Sequence, residues 1–107
     1  MVTDLEYIAA NLSEEDILCQ IAEEAAELAK AALKLRRAIA QTNPTPVTDE
    51  EAIDNLIEEY GDTVGSFMVW AKKNNLDIEI YETSNENIYS KFDRWADRIK
   101  ESKNRGN

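Results

Sequence analysis

The segment SEEDILCQIAEEAAELAKAALKLRRAIA, residues 13–40, decides the fold class of this chain. Ser13 stands before three acidic residues, as an N-cap does, and neither glycine nor proline interrupts the residues up to Ala40. The pattern therefore predicts a helix of about 28 residues. Because the chain has only 107 residues, a helix of this length can bury its apolar stripe only by lying beside other helices.

A second long helix is expected after a loop. Pro44 and Pro46 cannot continue the first helix, so residues 41–48 form the loop. Thr48, with a glutamate three residues later, makes a capping box and opens a helix that runs to about Lys73. Gly61 and Gly65 interrupt the helical propensity there, which suggests close approach of another helix backbone.

Two further helical segments flank this pair. A short segment covers residues 3–11, and another begins near Leu76. After an expected break at residues 83–84, an apolar face recurs at helical spacing. That face consists of Ile88, Phe92, Trp95 and Ile99.

These elements predict an all-α fold, since no stretch alternates between apolar and polar residues as a strand does. The expected architecture is an antiparallel four-helix bundle completed by oligomerisation, as a homodimer or homotetramer. A chain this short forms one domain over residues 1–107, with a frayed tail at 102–107.

The charge and the residue inventory exclude several functions. With 22 acidic and 12 basic residues, the net charge of −10 disfavours nucleic-acid and membrane partners. The absence of histidine excludes Ser-His and Cys-His nucleophile pairs, and a single cysteine excludes an intrachain disulfide. No long apolar span or leader is expected, so the sequence predicts a cytoplasmic protein.

Each long helix is expected to bury one apolar stripe. In the first long helix, the predicted stripe is Ile17, Ile21, Leu28, Ala32 and Leu35. In the second, it is Ile53, Leu56, Ile57, Tyr60 and Val64.

Two pairs of acids lie at or near the edges of these stripes. Glu24 and Glu27 are three residues apart on one helix, and Glu59 and Asp62 repeat the spacing on the other. Four carboxylates on adjacent helices repel one another unless a cation neutralises them. Oxygen ligands favour Mg²⁺ first and Mn²⁺ next. The alternative, that these acids belong to ordinary solvated faces, stays open.

The same residues resemble a known family. EEAAELAK at 23–30 and EEYGDTVG at 58–65 carry the EExxE and ExxD elements of the MazG-like all-α nucleoside triphosphate pyrophosphohydrolases, and the resemblance extends from about Leu12 to Ile99. It differs from the family in the longer interval between Glu27 and Glu59.

The resemblance implies a function and its ligands. Glu24, Glu27, Glu59 and Asp62 would hold Mg²⁺, with Mn²⁺ as a substitute, and Glu23 would support the site or activate water. Water would attack the α-phosphorus of a nucleoside triphosphate and release a monophosphate and pyrophosphate. Without histidine, the catalytic base would be a carboxylate such as Glu23 or Glu24, unless the metal itself lowers the pKa of the water. Such an activity can remove non-canonical nucleotides.

Binding of the phosphates requires cations. Lys91 and Arg94 match the basic C-terminal helix of the family and are the expected phosphate ligands, although they could equally form solvated ion pairs with Asp93 and Asp97. Gln20, one turn before Glu24, is a further substrate-binding candidate or an interface residue.

Two rival functions stay open. An acidic helical bundle could be a non-catalytic interaction protein whose carboxylates only keep it in solution. A member of the resembled family could instead bind nucleotides weakly or act on another pyrophosphate compound.

Overall fold

The computed structural model describes residues 1–41 and 47–105, and the only regular secondary structure in these ranges is helical. The helices are α1 (Asp4–Asn11), α2 (Glu14–Ala40), α3 (Asp49–Lys73) and α4 (Asp77–Asn104). The all-α prediction is confirmed. The expected loop conformation at Pro44 and Pro46 lies outside the described residues, whereas α4 includes residues 102–104 of the expected tail.

Side-chain caps explain where three helices begin. The hydroxyl of Ser13 accepts a hydrogen bond from the Asp16 backbone N–H at 3.1 Å. Thr48 and Glu51 form the predicted capping box, in which each side chain bonds the other residue's backbone N–H. Thr3 caps α1 in the same way. Local sequence therefore sets the start of each helix in residues 1–74.

The chain divides into two compact units, Met1–Asn74 and Asn75–Asn107, each described here by itself. In the first unit, α3 packs against both α2 and α1. The Trp70 indole N–H donates to the Glu14 carboxylate at 3.3 Å, and Thr63 lies beside the Glu24 carbonyl at 3.2 Å. Since early residues of α2 meet late residues of α3, these two helices are antiparallel.

The packed face of α2 follows the predicted stripe more closely than that of α3 does. On α2, Ile17 is buried as expected, but Ala31 is buried and Ala32 is exposed. The other predicted α2 residues are half-buried, namely Ile21, Leu28 and Leu35. On α3 the packed face is Ala52, Leu56, Glu59, Thr63 and Ala71. The predicted residues Ile53, Ile57, Tyr60 and Val64 are 38–63% exposed. The small residues Ala52 and Thr63 let α3 approach α2 closely. Because this face of α3 is turned toward α2, the larger apolar side chains of α3 remain exposed.

The glycine prediction is wrong for the described residues. A methyl group at either Gly61 or Gly65 would meet nothing within 4 Å. The two glycines line an open groove of about 570 Å³. Their small size therefore leaves space on the surface of α3 and does not accommodate another backbone.

The second unit consists of α4. The expected break at residues 83–84 is absent, because α4 is continuous from Asp77 to Asn104. The Ser84 hydroxyl donates to the Tyr81 carbonyl at 3.2 Å and is accommodated within the helix. The predicted apolar face from Ile88 to Ile99 is about half exposed. None of the described helices combines the length and the apolar character needed to cross a membrane.

Candidate metal centre

Three of the four predicted acidic ligands converge where α2 packs against α3. One carboxylate oxygen from each of Glu24, Glu59 and Asp62 lies within 4.8 Å of the other two. Glu24 and Glu59 are half-buried and Asp62 is exposed. The antiparallel packing of α2 and α3 brings these residues together although Glu24 and Glu59 are 35 positions apart in the sequence.

Gln20 and Glu24 are hydrogen-bonded neighbours. The Gln20 amide donates to Glu24 Oε1 at 2.7 Å, one turn along α2. A charged acceptor makes this a strong, orienting hydrogen bond. Gln20 therefore positions the Glu24 carboxylate, in addition to lining the open groove.

The other two predicted acids lie differently. Glu23 is exposed and is not one of the three converging carboxylates. Glu27 is also outside this set, and its carboxylate pairs with Lys30 Nζ at 3.4 Å. Glu27 nonetheless lies close enough to Glu59 to affect its charge state. The structure thus places Glu27 beside Glu59, and Glu23 is not among the converging acids.

Desolvation, together with the neighbouring negative charges, perturbs the pKa of Glu59. The pKa of Glu59 is raised above its ordinary value of 4.5, first by desolvation and then by the negative charges of neighbouring acids. Those neighbours are Asp62, Glu24, Glu27 and Glu58. A bound cation would reverse this direction, because it favours the ionised carboxylate.

Thr63 joins the two helices at the cluster. Its buried hydroxyl lies 2.8 Å from the Glu59 carbonyl, within α3, and 3.2 Å from the Glu24 carbonyl, on α2. A hydroxyl has one proton, so the two carbonyls share a single donor. Thr63 therefore fixes the backbones that carry two of the three converging acids.

An open groove of about 570 Å³ adjoins the acids within the first unit. Glu24, Asp62 and Gln20 form part of its wall. Most of the remaining wall is apolar and comes from α1, α2 and α3: Leu5, Ile8, Leu12, Ile17, Met68 and Val69. A ligand held at the acids could therefore place an apolar part in this groove.

A second cavity, of about 320 Å³, lies beside Glu59. Its walls include Lys30, Lys34 and Arg37 from α2, Asn55 from α3, and both Glu27 and Glu59. We call this cavity the basic cleft. The sequence analysis missed these cations, although residues 28–48 contain four basic residues and no acidic residue.

The predicted phosphate ligands Lys91 and Arg94 lie on α4, in the second unit. Lys91 Nζ lies 5.9 Å from the centre of the Trp95 ring, and Arg94 donates to the Ser90 hydroxyl at 2.7 Å. Together with Trp95 and Arg98 they line a small surface cavity of about 180 Å³. Their role in binding substrate stays a prediction.

The three converging carboxylates fit Mg²⁺ chemically. Mg²⁺ prefers oxygen ligands at about 2.0–2.1 Å, so oxygens bound to opposite sides of one ion lie roughly 4 Å apart. The oxygens of Glu24, Glu59 and Asp62 lie within 4.8 Å of one another, so the three carboxylates would have to move somewhat closer together to hold one ion. Glu24, Glu59 and Asp62 are therefore the residues that would hold such an ion, with Glu27 as a neighbouring carboxylate.

Comparisons with protein-family models, with curated proteins and with solved structures found no match to this chain.

Proposed function

We propose that this chain is a Mg²⁺-dependent nucleoside triphosphate pyrophosphohydrolase that converts a triphosphate and water into a monophosphate and pyrophosphate. The observation that supports this proposal most is the convergence of Glu24, Glu59 and Asp62 from two antiparallel helices. The placement of these acids on α2 and α3 agrees with the resemblance of residues 23–30 and 58–65 to the MazG-like family.

The surroundings of the acids also favour a nucleotide. Glu24 and Asp62 line the apolar groove, and Glu59 lines the basic cleft. A nucleotide has an aromatic base at one end and an anionic phosphate chain at the other. The two cavities therefore offer an apolar surface beside Glu24 and Asp62 and a basic surface beside Glu59.

The protein's own residues would position the reactants. Glu24, oriented by Gln20, and Glu59 and Asp62 would hold the ion. When bound, Mg²⁺ would supply the positive charge that lets phosphate oxygens approach these carboxylates. In a chain without histidine, a carboxylate would accept the proton of the attacking water, and Glu24 and Glu23 keep this predicted role.

The finer assignments belong to the same proposal. A cytoplasmic protein would meet nucleoside triphosphates directly. Homodimerisation or tetramerisation would cover the outer face of α3, where Ile53, Ile57, Tyr60 and Val64 are exposed.

The exposed apolar residues also favour a second candidate, a non-catalytic interaction protein. Several exposed apolar side chains lie together on the outer face of α3, and another set shares one face of α4. Such groups are larger than isolated exposed apolar residues and are typical of interaction surfaces. The α4 set consists of Ile88, Phe92, Trp95 and Ile99. If the chain is such an interaction protein, it assembles with a partner through these surfaces and catalyses no metal-dependent reaction.

The test is pyrophosphate release from a panel of canonical and modified nucleoside triphosphates, with Mg²⁺, with Mn²⁺ and with EDTA. The proposal expects metal-dependent release of pyrophosphate together with the monophosphate, loss of activity in Asp62→Asn, and retention in Glu58→Gln. Glu58 is a matched control because it is an exposed acid on α3 outside the converging set. Absence of release across the panel would favour the interaction protein.

A further inference from the structure

The basic residues of the first unit are concentrated beside its acids. Residues 1–74 contain 15 acidic and 6 basic residues, yet Lys30, Lys34, Arg36 and Arg37 fall within eight positions of α2. No acidic residue lies between positions 28 and 48. In a strongly anionic unit, this segregation creates a local positive surface next to a negative one.

Helix geometry orders three of these cations into a row. Lys30, Lys34 and Arg37 are spaced by four and three residues, so they lie on one face of α2 and extend over roughly 10 Å of its axis. All three line the basic cleft, whereas Arg36 does not. Because α2 and α3 are antiparallel, Glu27 and Glu59 both lie at the end of the cleft from which this row begins.

The row has few competing partners. Lys30 pairs with Glu27 at 3.4 Å, but both side chains are more than half exposed. Among the described residues, neither Lys34 nor Arg37 forms an ion pair within 4.0 Å. Asn55 adds an amide on the opposite wall. The cleft therefore offers charged donors to an anion without first breaking a buried salt bridge.

We infer that the basic cleft binds the oligophosphate chain of a metal-complexed ligand, with Lys30, Lys34 and Arg37 contacting successive phosphates that lead away from the acids. This inference rests on the proposed function and extends it, because it places the pyrophosphate leaving group on α2. An extended anion that carries its own divalent cation satisfies both halves of the surface: the cation meets the carboxylates and the phosphates meet the cleft.

Binding of inorganic tripolyphosphate by the full chain tests this inference without any turnover. Calorimetry would be run with the magnesium complex of tripolyphosphate on the wild type, Lys34→Gln and Arg37→Gln, with Arg36→Gln as the matched control. Each cleft variant is expected to bind about tenfold more weakly, since each loses one charge-assisted contact. Arg36→Gln is expected to change the affinity by less than about twofold.

A conservative variant separates the loss of charge from structural damage. Lys34→Arg keeps the charge and is expected to retain affinity within about threefold, and helicity by circular dichroism should be unchanged in all variants. Absence of tripolyphosphate binding by the wild type would overturn the inference. An effect of Arg36→Gln equal to that of Arg37→Gln would also overturn it, because the whole surface charge would then explain the binding.

The outcomes separate this inference from the proposed function. Tripolyphosphate binding that depends on Lys34 and Arg37, with no hydrolysis of any nucleotide, would support phosphate binding in the basic cleft and contradict the proposed enzymatic function. Hydrolysis by Lys34→Gln and Arg37→Gln at wild-type rates and with wild-type KM would support the proposed enzymatic function and contradict phosphate binding in the basic cleft.

Discussion

Two basic surfaces among the described residues, one on α2 and one on α4, differ in what surrounds them. On α2, Lys30, Lys34 and Arg37 line a cleft that also contains Glu27 and Glu59. On α4, Lys91 and Arg94 alternate with Asp93 and Asp97 along the sequence, and the two cations contact Trp95 and Ser90. The α2 surface thus combines cations with acids across a helix interface, whereas the α4 contacts lie within one helix. Tertiary packing, more than the number of basic residues, distinguishes the two surfaces.

The acids provide the largest expected effect. Asp62→Asn should lower the rate of pyrophosphate release by about a thousandfold, because, on the proposed function, it would remove a ligand of an ion worth several kcal/mol to the reaction. In metal-free buffer the melting temperature should rise by about 1–3 °C, since repulsion with Glu59 is relieved. Steady-state assays and thermal melts in EDTA measure both changes.

Glu58→Gln provides the control for this prediction, since it removes an equal charge next to Glu59 but leaves the converging oxygens in place. Activity that survives in Asp62→Asn, or that falls equally in Glu58→Gln, would show that the converging acids have no specific catalytic role.

Paired variants compare the two basic surfaces directly. Lys34→Gln with Arg37→Gln should raise KM for a triphosphate by about a hundredfold, because two charge-assisted contacts are lost. Lys91→Gln with Arg94→Gln should raise KM by less than about threefold, the effect of altering exposed charges. A larger effect from the α4 pair would assign phosphate binding to Lys91 and Arg94, as the family resemblance implies.

The buried hydroxyl between the helices should have a smaller effect, on stability alone. Thr63→Val keeps the shape of the side chain and its branching but removes the donor shared by the Glu59 and Glu24 carbonyls. The free energy of unfolding should fall by about 1 kcal/mol in urea titrations. Ser66→Ala removes an exposed hydroxyl bonded within α3 and should change it by less than about 0.5 kcal/mol. Equal losses in the two variants would mean that Thr63 does not link the helices.

The smallest effect should be the pH dependence due to Glu59. Its folded-state pKa is raised above 4.5, so the folded chain holds this proton more tightly than the unfolded chain does. This proton therefore stabilises the folded state at pH values below 4.5, and the stabilisation is lost as the pH rises through the higher folded-state pKa of Glu59. Thermal melts in EDTA should show this decrease in the wild type and a shallower one in Glu59→Gln. An identical slope in both proteins would exclude Glu59 as its source.

Sequence reasoning predicted the local features of the fold well. Ser13 and Thr48 mark the helix starts through short-range hydrogen bonds, so both could be recognised from neighbouring residues. The acids Glu24, Glu59 and Asp62 could be selected because carboxylates near an apolar stripe are unusual. Their convergence depends on the antiparallel pairing of α2 with α3, which the loop position already favoured.

Features that depend on helix rotation were harder to predict. The stripe of α3 has apolar residues on more than one face, so hydropathy favoured Ile53 and Ile57, whereas packing selected the small Ala52 and Thr63. The basic cleft was missed for a related reason. In the sequence, Lys34 and Arg37 are typical of exposed residues along α2, and the packing of α3, through Asn55 and Glu59, makes them line a cavity.

Titration of Mn²⁺ into the nucleotide-free protein, followed by the electron paramagnetic resonance signal of the free ion, tests the central claim most directly. We predict saturable binding by the wild type and by Glu58→Gln, competition by Mg²⁺, and loss of this binding in Asp62→Asn. Equal binding by wild type and Asp62→Asn, or no saturable binding by the wild type, would contradict the claim that Glu24, Glu59 and Asp62 form a metal centre.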